Sequence, residues 1–284
     1  MGYELWISPN TGIRRKGTTF KEIQSIFIDN ITTKYIYEPI YSCRLIDECH
    51  FVKEALTFRD FDVAGVIDNN TKIVGYVTKL ELIDGLIETH CKKIESHQLI
   101  PDSTPITSLM KILTETPFAF VSVEDEIEGI VTRADINKPI VRIYLFGIIS
   151  LFELHLYFWI NEYHNNESWK SCIKEERLKS AERIFEKRKG KNEELSILEC
   201  LEYCDKRDIL SVTREFIERF KFSRGSFERL LNRMEIIRNE LAHSQTSITS
   251  NLEWDEFYQT ISNAEAFLHT SEKIVEEKVS ESFQ

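Results

Sequence analysis

Arg238, Asn239 and His243 stand close together in the run Ile236-Ile237-Arg238-Asn239-Glu240-Leu241-Ala242-His243-Ser244. A guanidinium is permanently cationic and forked, so it can stabilise charge building on phosphoryl oxygens. An imidazole titrates near neutrality and can move a proton to or from an attacking or leaving oxygen. With an amide beside them to position one of these groups, the set suits attack of a ribose 2'-OH on its adjacent phosphorus. Spacing alone carries little, because 16 Arg and 7 His in 284 residues place an Arg five positions before a His about 0.4 times by chance. The surroundings of the motif therefore matter.

A second set of chemistry-bearing residues is duplicated. A shift of 54 residues lays Gly75-Tyr76-Val77-Thr78-Lys79-Leu80-Glu81-Leu82 on Gly129-Ile130-Val131-Thr132-Arg133-Ala134-Asp135-Ile136. Both copies read Gly, apolar, Val, Thr, basic, any, acidic, aliphatic. The same shift puts Val66-Ile67 on Phe120-Val121 and Ile73 on Ile127, with polar turn residues between, which predicts strand, turn, strand, helix. Upstream, Phe51–Leu56 and Ile106–Lys111 supply an amphipathic helix to each copy. Two tandem β-α-β-β-α units are expected.

That unit, with its Gly-x-x-Thr-x-x-Asp ending, resembles the cystathionine β-synthase (CBS) domain, which occurs as a tandem pair, over residues 19–140. The resemblance implies clefts between the repeats that take adenosine-containing ligands such as AMP, ATP or S-adenosylmethionine. In the second copy an ionised Asp135 can accept hydrogen bonds from both ribose hydroxyls, and Thr132 can donate to a phosphate oxygen. Arg133 adds charge, and Ile100 with Phe120 would flank the base. The alternative is that Thr132 caps the helix and Asp135 complements its dipole. In the first copy Thr78 and Glu81 take the corresponding positions, and the extra methylene of Glu81 shifts the carboxylate.

Beyond Pro139 apolar residues recur at helical spacing. Helices are expected near 141–164, 167–188, 194–204, 208–243 with a break at Ser223-Arg224-Gly225, and 252–279, packed as an antiparallel bundle. In the segment opened by Ser226, the residues Phe227, Leu230, Leu231, Met234, Ile237, Leu241 and Ala242 form one apolar stripe bordered by Arg238. Five helical steps turn about 140° and rise about 7.5 Å, so Arg238 and His243 do not share a face of a straight helix. They would converge at a helix end or across a two-fold axis.

A helical domain carrying Ile-Arg-Asn-x-x-x-His resembles the higher eukaryote and prokaryote nucleotide-binding (HEPN) family, many of whose members are ribonucleases. The resemblance implies a homodimer with paired motifs that cuts RNA without a metal cofactor, its catalytic residues Arg238, Asn239 and His243. The structural alternative leaves His243 a solvated or capping imidazole and Arg238 an ion-pair partner of Glu235. The branch of the family that acts as toxin subunits commonly has Tyr two residues after its His, where Gln245 stands here.

Composition sets limits. A net charge of -11 argues against a protein that coats nucleic acid nonspecifically, although residues 167–243 hold 18 Lys and Arg against 16 Asp and Glu. The run Lys187-Arg188-Lys189-Gly190-Lys191 reads as a solvated loop or a phosphate contact. Arg142, Glu153 and His155 interrupt the apolar run 140–160, so it reads as a helix buried in a bundle or dimer seam rather than a membrane span. Six scattered cysteines, and a start without a basic and apolar leader, point to free thiols in the cytoplasm; Cys200 and Cys204 lack neighbours to complete a zinc site. The expected fold is α+β: an extension over 1–18, a ligand-sensing repeat pair over 19–140, and an all-α bundle over 141–284. The expected activity is a metal-independent endoribonuclease set by an adenine nucleotide, in stress or antiviral defence. A catalytically silent nucleotide sensor and dimeric scaffold is the alternative, with a toxin subunit as a third reading.

Overall fold

The computed structural model describes residues 19–189, 196–243 and 247–281. The described residues divide into a mixed unit, 26–141, and a helical unit made of those from 142 onward with 19–25. The proposed extension 1–18 lies outside the described residues, as do Gly190 and Lys191 of the basic run and Gln245.

The mixed unit opens with the end of helix α1 (Phe20–Asn30) and holds two small sheets. Strand β1 (Glu38–Pro39) is followed by the first repeat: β2 (Ser42–Arg44), α2 (Cys49–Phe58), β3 (Val63–Ile67) and β4 (Ile73–Thr78). The second repeat runs β5 (Leu99–Pro101), α3 (Ile106–Glu115), β6 (Phe118–Val123) and β7 (Glu126–Thr132). In both, the first strand lies parallel to the second and the last two form an antiparallel hairpin.

The duplication holds, but its register is not uniform. The hairpins pair Val63 with Thr78 and Phe118 with Thr132, so β3 maps onto β6 with a shift of 55 while β4 maps onto β7 with 54. Gly65-Val66, not Val66-Ile67, therefore match Phe120-Val121. Strand β2 and helix α2 map onto β5 and α3 with a shift of 57, which sets Cys49 on Ile106, Val52 on Leu109 and Leu56 on Leu113, all buried. The helix alignment beginning at Phe51 and Ile106 is thereby corrected. A 3-10 turn, Ser96–Gln98, lies in the part of the second copy where the shift grows. The shorter α3–β6 connection and tighter hairpin then bring it back to 54.

The two repeats exchange their leading segments. The stretch before the first repeat runs along the second sheet, with Glu38 paired to Ile130 and Thr32 bridged to Pro105. The stretch between the repeats runs along the first, with Lys92 bridged to Tyr76 and Leu86 to Glu48. Gly75 and Gly129 mark where those segments cross. A Cβ on Gly75 would overlap the Lys92 carbonyl and the Cys91 sulfur, and one on Gly129 would overlap the Tyr37 ring and the Glu38 carbonyl.

The closing helix expected of each repeat is a 3-10 turn instead, Lys79–Glu81 and Arg133–Asn137. The second ends at Lys138, in extended conformation, because a residue before proline disfavours the helical region. Pro139 then opens α4 (Pro139–Tyr163), at a helix start where its missing N–H costs nothing.

In the helical unit α4 buries Tyr144, Leu145, Ile148, Phe152, Leu156, Trp159 and Ile160. By length and composition α4 could cross a bilayer, and more than half of its most apolar stretch is buried. Sequence periodicity ran the later segments together. A 3-10 segment, Asn165–Cys172, with Asn166 and Glu167 in the left-handed region, precedes α5 (Glu175–Lys189). A capped 3-10 turn at Ile197–Cys200 and α6 (Tyr203–Val212) replace the single segment 194–204. The span expected over 208–243 is the rest of α6, α7 (Arg214–Arg219) and α8 (Arg224–Ala242), α7 being stopped by Lys221 at φ 54. Ser223, not Ser226, caps α8, accepting from the Ser226 N–H. Helix α9 (Trp254–Glu281) completes the unit, and its Phe267 packs on Phe152 and Phe220.

Candidate functional site

Strand β7 delivers Thr132 to the point where the chain turns into the 3-10 segment, and the first residues of that turn bond back on themselves. Thr132 N–H and Oγ1 both donate to Asp135 Oδ2, at 2.7 and 3.1 Å, and Ala134 N–H donates to Thr132 Oγ1 at 3.2 Å. Lys138 Nζ lies 3.0 Å from the other oxygen, Oδ1. It also donates to the Ile36 carbonyl and, at 2.5 Å, to Glu38 Oε1. Burial pulls the Lys138 ammonium down, yet its bonds to Glu38 and Asp135 outweigh this and leave its pKa raised. Asp135 is 8% exposed, so both carboxylate oxygens are satisfied inside the turn.

The first repeat builds the same figure from different parts. Thr78 Oγ1 donates to Glu81 Oε2 at 2.5 Å, and Lys92 Nζ donates to Oε1 at 2.5 Å. The hydrogen bond from Lys92, then that from Thr78, hold the Glu81 carboxyl below its ordinary pKa. This cluster is open, with the Glu81 and Lys92 side chains nearly half exposed.

Arg133 turns its Nε to the Leu113 carbonyl at 2.9 Å. Ile100 and Phe120 are buried. Phe120 belongs to an aromatic group between the repeats, 5.3 Å from the Tyr76 ring and 5.6 Å from Phe118. Gln98, also buried, donates to the Tyr76 hydroxyl at 3.5 Å. The structure thus joins Thr132 to Asp135 and Thr78 to Glu81, and sets Ile100 and Phe120 on adjacent strands.

Sequence reasoning missed Lys92, Lys138 and Glu38. A signal existed: at the shift of 54, Glu38 falls on Lys92 and Asp84 falls on Lys138, a reciprocal exchange of charge around the two carboxylates.

In the helical unit the stripe on α8 is buried at Phe227, Leu230, Leu231, Met234 and Ile237, whereas Ala242 is exposed. Arg238, Asn239 and His243 are exposed at the C-terminal end of α8. Arg238 Nη1 donates to Asn239 Oδ1 at 3.4 Å, and the His243 N–H closes the helix on the Asn239 carbonyl at 2.9 Å. Asn239 touches both neighbours; Arg238 and His243 do not meet within the chain. Glu235 pairs with Arg207 of α6, at 3.7 Å. Arg207 also donates to Asn232, so it ties α6 to α8 beneath the motif. Among the described residues no three His, Cys, Asp or Glu side chains gather as a metal-ligand set. Cys204 faces Arg177.

No protein-family model matches the chain, and no curated protein does. Among solved structures it is similar to the CBS-pair protein CBSX2 of Arabidopsis thaliana in complex with AMP, with TM-score 0.35 and 20% identity over 39% of this chain and 97% of that one. It is also similar to the CBS domains of a transcriptional regulator from Streptococcus pneumoniae, with TM-score 0.34 and 19% identity over 38% of this chain and 98% of that one. A third is a CBS domain pair in complex with 5'-methylthioadenosine and S-adenosyl-L-methionine, with TM-score 0.33 and 16% identity over 37% and 95%.

Proposed function

We propose that the mixed unit is a tandem CBS-type sensor of adenine nucleotides and that the helical unit is a metal-independent endoribonuclease of the HEPN type, acting as a homodimer. The observation that carries the first half is the duplicated threonine–carboxylate turn, present once per repeat beside the aromatic group between them. A ribose diol would take the carboxylate oxygens that Thr132 and Lys138 now hold, and the freed ammonium would face the ligand's phosphate. Phe118, only partly buried beside Tyr76, would supply a surface for the adenine ring.

The second half is supported by exposure. Arg238, Asn239 and His243 present polar groups to solvent on a helix whose other face is core, so a second copy of the motif can approach them. Across a two-fold axis, a guanidinium from one chain and an imidazole from the other would flank one phosphodiester. His243 would take the proton of the attacking 2'-OH and return it to the departing 5'-oxygen, the 2'-O–P bond forming as the P–O5' bond breaks to leave a cyclic phosphate, while Arg238 would stabilise the phosphoryl charge. Nucleotide binding would act by biasing the protein toward one arrangement of the paired motifs.

The test is cleavage of total RNA in EDTA, with and without AMP, ATP or S-adenosylmethionine, using wild type, Arg238→Ala and His243→Ala and a fully deoxy strand as control. Cleavage lost in both variants and altered by a nucleotide supports the proposal; cleavage that persists in them refutes the site. Tight nucleotide binding without RNA turnover under any ligand would assign the helical unit to a silent scaffold, a reading favoured by the separation of Arg238 and His243 within one chain.

A further inference from the structure

Where α4 ends, three side chains form a hydrogen-bonded relay. His164 closes the helix with its N–H on the Ile160 carbonyl at 2.9 Å. Its ring is engaged at both nitrogens, Nδ1 3.2 Å from Ser168 Oγ and Nε2 2.8 Å from Thr213 Oγ1, at the junction of α6 and α7. Thr213 gives its one hydroxyl proton to the Ile209 carbonyl at 2.8 Å, so it accepts from Nε2–H. That fixes the tautomer of the neutral ring: Nδ1 is the acceptor, and the Ser168 hydroxyl donates to it.

Burial holds the His164 imidazole below its ordinary pKa, which keeps the ring neutral at pH 7, while the nearby Glu215 carboxylate acts in the opposite sense and favours the imidazolium once it forms. Thr213 is buried, His164 half-buried and Ser168 exposed. An orienting group in the core, a neutral base and an accessible hydroxyl that donates to it are the parts of an activated nucleophile. His155 and Ser271 make a similar bond, but both are fully buried, out of reach of any substrate. The backbone adds a second mark at the exposed pair. Asn166 and Glu167, the two residues before Ser168, both lie in the left-handed region, at φ 53 and φ 59. Two in succession, neither of them glycine, persist only where the surrounding structure holds them. On the other side Trp169 is anchored in the core, so the serine stands on a fixed support.

We infer that Ser168 is a nucleophile activated by His164 and oriented through Thr213, forming a second reactive site that hydrolyses small carboxylic esters. Ser168 Oγ bonds to the acyl carbon as its proton passes to His164 Nδ1. The bond from that carbon to the alcohol oxygen then breaks, and the alcohol leaves with the proton. Water attacks the acyl-serine, gives a proton to Nδ1, and the serine recovers it as the acid departs. One ester and one water thus become one acid and one alcohol. Thr213 carries no charge of its own to stabilise the imidazolium, so esters with a good leaving group suit the site. None of its residues belongs to the repeats or to the Arg238–His243 motif, so it stands apart from the nucleotide and RNA readings.

The experiment treats the full chain with a fluorophosphonate, which bonds to an activated serine with loss of fluoride, and locates the adduct by peptide mass spectrometry. Hydrolysis of p-nitrophenyl acetate is followed alongside. Ser168 is expected to carry the adduct, and Ser168→Ala, a change at an exposed position, to abolish both reactions. His164→Gln should slow labelling at least about 100-fold, the contribution of a general base. Thr213→Val should slow it about tenfold and Thr213→Ser restore it, because the serine hydroxyl can still accept from Nε2–H. The wild-type pH profile needs no variant to fold: labelling should fall off as Nδ1 is protonated, with a midpoint below 6.5. An unlabelled wild type, an adduct on another residue, a rate indifferent to His164→Gln, or a rate flat through that pH range would each overturn the inference.

Discussion

Lys92 and Glu38 occupy the same point of the two repeats with opposite charge. Each lies on a segment crossing the outer edge of a sheet, Lys92 against Tyr76 and Glu38 against Ile130. Lys92 grips the Glu81 carboxylate directly, whereas Glu38 holds Lys138, which in turn grips Asp135. The two sites are thus alike in outcome and unlike in construction, which predicts that they respond differently to loss of their lysines. Lys138→Met removes a partner from a carboxylate that is nearly buried, and should destabilise the mixed unit by about 1–3 kcal/mol. Lys92→Met opens an exposed pair and should leave stability within error of wild type. Urea unfolding of both variants checks this, and equal losses would contradict the difference in burial.

Ligand binding separates the nucleotide reading from the capping one. Asp135→Asn keeps a side chain able to accept from the Thr132 N–H, so most of the cap remains, but it cannot accept from both ribose hydroxyls as a carboxylate does. Titration calorimetry with AMP and ATP should show affinity at the second repeat falling at least about tenfold, or 1.4 kcal/mol, with the melting temperature of the free protein little changed. Affinity that survives while stability drops would make Asp135 a structural cap alone.

Gly75 and Gly129 are the points at which the exchanged segments press on the sheets. Gly75→Ala and Gly129→Ala should each cost about 1–3 kcal/mol, because the added methyl meets main-chain carbonyls that cannot swing aside. Gly129 should cost more, since its methyl also meets the Tyr37 ring. Chemical denaturation measures both, and neutral effects would mean that the crossings are looser than they stand here.

What the sequence made legible follows from which interactions are local. The last strand of each hairpin and the threonine–acid turn after it recur within one eight-residue block, so a uniform shift found them. The shift drifts to 57 and 55 between those blocks, where compensating insertions leave no trace in a fixed offset. Lys138 and Glu38 escaped notice because they meet across a hundred residues of chain. In the helical half, periodicity located the buried stripe of α8 but not the breaks at Thr213 and Lys221, which interrupt the backbone without interrupting the apolar spacing.

Exposure makes the helical motif cheap to alter. Arg238→Ala and His243→Ala remove side chains from the solvent end of α8 and should shift stability by no more than about 0.5 kcal/mol, so any loss of RNA cleavage would report on chemistry. Thermal melts of both variants beside wild type provide the check. A collapse of the fold in either would show that the motif is structural.

His155 gives the helical unit a defined acid sensitivity. It is fully buried on α4, with Nδ1 2.7 Å from Ser271 Oγ, which also accepts from Trp159 Nε1 at 2.6 Å. Burial lowers its pKa from 6.5 to about 3. The unfolded chain therefore takes up a proton near pH 6.5 that the native state refuses until about pH 3. Stability from this residue is complete above pH 6.5 and drains away between those limits, by up to about 1.4 kcal/mol per pH unit, or about 2 kcal/mol by pH 5. Glu265 and Glu272, whose carboxyls burial pushes upward, act in the opposite sense, their native forms losing stability as pH rises through the region above 4.5. A direct comparison isolates the histidine: His155→Gln keeps a polar partner for Ser271 but cannot titrate. Its unfolding free energy at pH 7.5 should lie below that of wild type, and the gap should close by about 2 kcal/mol on going to pH 5. A gap that stays constant between the two pH values would mean that His155 takes up its proton as readily in the native state as in the unfolded one, contrary to its burial.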